Sequence, residues 1–135
     1  MRSLLWMLPL AVSLLAACGP PHRDLPPAEI DKLDDLSKVM DVQATLADPQ
    51  FKKVDQVTYG DEDWASFADV GSRIQVTSKK IHQFTKGPEF DRFADRLHGT
   101  AEALSTAASA KDAHAASDAL RSMKATCKAC HSKFK

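Results

Sequence analysis

Tyrosine occurs once in this chain, and no stretch alternates apolar with polar residues over the length of a strand. Without β-favouring runs on a period of two, strands have little to form from. An excess of either charge is missing too, since 18 basic side chains stand against 18 acidic ones. Such a balance gives no field to draw the chain onto nucleic acid or an anionic surface, so neither is expected as a partner on charge grounds. Also absent is an apolar run able to span a bilayer, which takes roughly 20 residues. The run Leu4–Ala17 has 14 and contains Pro9. Cysteine is scarce, with three in 135 residues, and no internal repeat or low-complexity tract is present. What remains, 44% apolar and 27% charged, suits a single soluble helical domain.

The run Leu4–Ala17 follows Arg2 and ends in small residues, the layout of a secretory signal peptide. Its ending, Leu15-Ala16-Ala17-Cys18, resembles the lipobox of bacterial lipoproteins. That resemblance implies a lipoprotein signal peptide over residues 1–17, cleavage before Cys18, a diacylglycerol on the Cys18 sulfur and acylation of the new N-terminus. The chain would then sit on the periplasmic side of a bacterial membrane, inner or outer, held by its lipid. Two or more acyl chains anchor stably where one is marginal. The alternative is a plain signal peptide with an incidental Cys18. Residues 18–27 follow as a tether, with four prolines in "GPPHRDLPP" favouring polyproline II.

Four amphipathic stretches come next. The first runs from Pro26-Pro27 to Asp48-Pro49 with Ile30, Leu33, Leu36, Met40, Ala44 and Ala47 in steps of three and four. Residues 48–60 read as a connection with room for one helical turn. The second opens at Asp61-Glu62-Asp63, carries Phe67, Val70, Ile74, Thr77, Ile81 and Phe84, and stops before Gly87-Pro88. The third starts at Pro88 and shows Phe90, Phe93, Leu97, Ala101, Leu104 and Ala108. The fourth starts near Lys111-Asp112, with Ala113, Ala116, Leu120, Met123, Cys127, Cys130 and Phe134. Four such helices with mostly short connections predict an all-α antiparallel four-helix bundle over residues 28–135. Both cysteines of the last stripe face its core.

Cys127-Lys128-Ala129-Cys130-His131 has the form C-x-x-C-H, the attachment signature of c-type haem. Two thiols three residues apart share a helix face and can add to the two vinyl groups of one porphyrin, and the adjacent imidazole can serve as an axial ligand. Three other uses of the pair stand beside this one. A zinc site needs a fourth strong ligand, and Cys18 is assigned to lipid. A thioredoxin-like dithiol sits at a helix N-terminus after a strand. A disulfide across three residues is awkward inside a regular helix. Haem leaves no cysteine over: one for lipid, two for the porphyrin.

The ending "CKACHSKFK" resembles the C-x-x-C-H-x-x-F/Y-R/K close of the class II cytochromes c, the family of cytochrome c′ and its low-spin relatives. Phe134 matches the family aromatic, and Lys135 stands where arginine is more usual. The resemblance implies a left-handed four-helix bundle with one covalent haem c near one end, bound through Cys127 and Cys130 with His131 on the iron. In low-spin members a methionine of the first helix is the second axial ligand, and Met40 occupies that position. Packing alone is the other reading of Met40, since a thioether fills gaps well. Met123 lies eight residues before His131 on the same helix and cannot reach the opposite haem face. His82, His98 and His114 each neighbour a stripe residue, so they read as boundary side chains. His114 is also about 25 Å along the helix from His131.

Three functions are compatible with a haem protein of this kind. The first is a membrane-tethered single-electron carrier with His131 and Met40 on the iron, exchanging electrons with redox proteins of the periplasm or membrane. The second is a five-coordinate protein of the cytochrome c′ type that binds nitric oxide or carbon monoxide, with Met40 as an apolar wall. The third, an enzyme such as a peroxidase, is not expected: the stripe near Met40 offers Leu33, Leu36 and Ala44, with Gln43 the one polar neighbour. Lys38, Lys124 and Lys128 are candidate propionate partners or docking charges. Family members often pair through their first two helices, so a homodimer is carried as an expectation.

Overall fold

The computed structural model describes residues 24–135. The lipidation candidate Cys18 and the signal peptide lie outside the described residues. In chain order come α1 (Pro27–Ile30), α2 (Leu36–Phe51), α3 (Asp61–Ile81), a 3-10 turn (His82–Phe84), α4 (Pro88–Ala110) and α5 (Ala113–Phe134). Among the described residues there is no strand, and the four long helices form the expected bundle. α3 lies along α4, and α4 along α5, over most of their lengths. α2 leans on α3 and touches α5 only lightly.

The helix boundaries follow from local chemistry. Asp63 accepts from the Gly60 N–H at 3.0 Å, and three acids fill the first turn of α3, opposite Lys79 and Lys80 in its last. Gly87 takes φ +107°, a conformation open to glycine, and Pro88 then starts α4. Lys111 closes α4 in a left-handed conformation, and Asp112 caps α5 by accepting from the Ala115 N–H at 2.9 Å. Phe67, Ile74, Leu104, Leu120 and Met123 are fully buried between the helices. Gly71 lets α3 and α4 approach closely: a Cβ there would stand 2.8 Å from the Ala101 carbonyl oxygen.

The first helix departs from expectation. The stretch expected to be continuous from Pro27 breaks at Asp31–Asp35 and restarts at Leu36, because Asp35 is extended and its carboxylate accepts the Ser37 N–H at 2.6 Å. α2 then carries Pro49 inside its last turn and ends at Phe51. The register of Ile30 and Leu33 is therefore not passed on. The buried face of α2 is Val39, Val42, Gln43, Leu46, Ala47 and Gln50, whereas Ala44 is exposed and Leu36 and Met40 are half-buried. Met40 stands at the edge of the core instead of in mid-stripe.

Part of the stretch expected as a tether rests on the bundle. The Arg73 guanidinium pairs with Asp24 and Asp69 and donates to the Leu25 carbonyl at 3.2 Å. Lys80, itself buried, donates to the Asp31 carbonyl at 2.6 Å. At the other end of α3, Trp64 and Phe67 meet Tyr59 edge-on at 5.2 and 4.9 Å, closing the bundle away from the C-terminus of α5.

Candidate functional site

A largely apolar cavity of about 360 Å³ lies where α5 ends. The α5 wall carries Thr126, Cys127, Cys130, His131 and Phe134. Leu36, Met40 and Gln43 line it from α2, and Phe90, Phe93, Ala94 and Leu97 from α4. Ile81 contributes from the end of α3, and Lys86 and Lys135 from the loop and the terminus. The four residues singled out in the described chain, Met40, Cys127, Cys130 and His131, thus share one space, with Met40 on a different helix from the other three.

The α5 wall is fastened to α4 by several contacts. Phe134 meets Phe90 and Phe93 edge-on, at 5.2 and 6.2 Å between ring centres. Lys133 pairs with Glu89, and Lys86 Nζ donates to the Phe134 carbonyl at 3.4 Å. These contacts fix the turn that bears His131, whose own side chain is exposed.

Both cysteines are free thiols and half-buried. Burial pushes the Cys127 thiol up to about 11, with the neighbouring Cys130 and Asp48 acting in the same direction. Burial also raises Cys130, while Lys86 opposes the shift. Near neutral pH both sulfurs are therefore uncharged, as suits an apolar wall. Among the described residues no group of three His, Cys, Asp or Glu side chains converges as a bare metal site would need.

The family sequence model described as cytochrome C′ matches residues 31–135, a span that takes in Met40, Cys127, Cys130 and His131. The chain belongs to the cytochrome c′ family. No curated protein and no solved structure matches it. As a cytochrome c′ family member it is a haem-binding c-type cytochrome, and the family's haem c is bound covalently. The residues present fit that group: an apolar cavity, two thiols one turn apart on one wall and an imidazole beside them.

The other candidates of this cytochrome c′ family chain fall elsewhere. Met123 is fully buried higher on α5 and does not line the cavity. His82 lies 2.9 Å from Asp95, His114 lies 3.2 Å from Asp118, and His98 Nδ1 lies 3.1 Å from the Ser78 hydroxyl. None of the three reaches the cavity. Lys38 pairs with Asp34 at 2.8 Å, and Lys124 and Lys128 are exposed away from the lining. Lys86 and Lys135 are the lysines at the cavity. The sequence marks Lys86 only by its place just before Gly87-Pro88, in the turn that α5 reaches as it ends.

Proposed function

We propose that the protein is a single-electron carrier whose haem c is attached through Cys127 and Cys130, with His131 and Met40 as the axial ligands. The observation that carries this reading is that Met40 on α2 and His131 on α5 line the same cavity from separate helices. Bound haem supplies a one-electron ferrous–ferric couple. The chain's part is to hold both ligands through a change of charge: α5 is pinned by Phe134 and Lys133, and Met40 is held at the margin of the α2 core. The apolar wall of Leu36, Phe90, Phe93 and Leu97 favours the less charged, reduced state. Thioether sulfur acts in the same direction.

The proposal includes anchoring by lipid on Cys18, on the periplasmic side of a bacterial membrane, with redox proteins there as partners and no catalytic turnover. Support for the anchor comes from Leu15-Ala16-Ala17-Cys18 behind its apolar run.

The test is an absorption spectrum of the exported protein. A low-spin spectrum with a far-red sulfur-to-iron band in the oxidised form is expected, and Met40→Leu is expected to abolish that band. A spectrum indifferent to Met40→Leu removes Met40 from the iron. A high-spin spectrum in both parent and variant would favour the second reading, a five-coordinate protein binding nitric oxide or carbon monoxide, which the apolar side chains of Leu36 and Met40 also suit.

A further inference from the structure

Three polar side chains, Ser37, Asp41 and Gln43, interrupt the α2 wall of the cavity, and of these Gln43 alone is buried. Gln43 is 7% exposed and lines the cavity three residues after Met40, on the same side of the helix. Its Nε2 donates to Thr77 Oγ1 on α3 at 3.0 Å. Thr77 is fully buried, and its hydroxyl donates in turn to the Ile74 carbonyl at 3.0 Å.

This chain of bonds has a direction. A hydroxyl carries a single hydrogen, and that of Thr77 is committed to Ile74, so Oγ1 can only accept from Gln43. The amide must turn its NH₂ side to Thr77. Its carbonyl oxygen is then the end not engaged by Thr77, on a side chain that lines the cavity. A buried amide costs stability unless bonded, and leucine would fill the same volume with no such demand. Packing alone does not call for glutamine here.

We propose that Gln43, oriented by Thr77, lowers the reduction potential of the haem site by presenting the negative end of its amide dipole to it. The inference rests on the haem reading above. Oxidation adds one positive charge to the iron, and a negative dipole end close by stabilises the oxidised form. In a largely apolar cavity that interaction is stronger than in solvent. Gln43 thus opposes the apolar wall and the thioether, both of which favour reduction. Thr77 is the positioning residue that acts through it.

The experiment is an equilibrium redox titration of the exported holoprotein and its variants. Gln43→Leu is expected to move the midpoint to more positive potential while haem content and spectrum stay those of the parent. Thr77→Val, which removes the accepting oxygen at nearly constant volume, is expected to move it the same way by less. Thr77→Ser, which keeps the hydroxyl, is expected to leave it in place. A Gln43→Leu midpoint unmoved or more negative, in a protein with the parent's low-spin spectrum, overturns the role of Gln43 and leaves the haem reading standing. If Gln43→Leu does not accumulate, equal midpoints for Thr77→Val and the parent overturn it instead. A parent chain exported without covalent haem sinks both readings together.

Discussion

Cys127 and Cys130 are one helical turn apart, yet burial acts on them unequally. The Cys127 thiol is pushed up to about 11, while beside Cys130 the Lys86 ammonium works against the rise. The thiolate is the reactive form, so the two should differ toward alkylating agents. In the folded, haem-free protein near pH 8, iodoacetamide is expected to modify Cys130 first, with the Cys127 rate climbing until about pH 11. In denaturant both should react alike, and equal rates in the folded state would contradict the assignment. At this scale the site was legible where chemistry is local: C-x-x-C-H needs no partner to be recognised. Gln43 was legible as the polar neighbour of Met40, but its burial and its bond were not, since its partner Thr77 is 34 residues further along the chain and on another helix. Sequence periodicity counts glutamine as surface and has no means of seeing that bond.

Elements read well wherever one stripe ran unbroken. The buried faces of α3, α4 and α5 are largely those their three-and-four spacing marks, because a continuous helix carries its register from end to end. α2 read poorly because Asp31, Asp34 and Asp35 look like any solvated acids, although Asp35 ends one register and starts another. The contact most exacting in shape is between α3 and α4 at Gly71. Gly71→Ala would set a methyl against the Ser105 hydroxyl and the Ala101 carbonyl, and backbone cannot swing aside as a side-chain tip can. A loss of roughly 1–3 kcal/mol is expected from such overpacking, read as a lower midpoint in urea. An unchanged midpoint would mean that the two helices part at little cost. The same change at Gly99, where a Cβ meets nothing within 4 Å, serves as control.

At the scale of the whole molecule the question is where it resides. Among the described residues no helix is long and apolar enough to cross a membrane. Attachment, on the proposed reading, therefore rests on Cys18. Cys18→Ser is expected to move the protein from the membrane fraction to the soluble fraction with its haem spectrum intact. Retention in the membrane fraction would show that something other than acylation holds it there.

The clasps on the N-terminal segment bear on how such a moored protein would behave. Between Asp24 and Leu36 the chain is tied down twice, by Arg73 at Asp24 and Leu25 and by Lys80 at Asp31. They work as strain relief does on a cable. On the proposed reading, a tug from the mooring would fall first on the flank of α3, where these contacts sit, before it reached Met40.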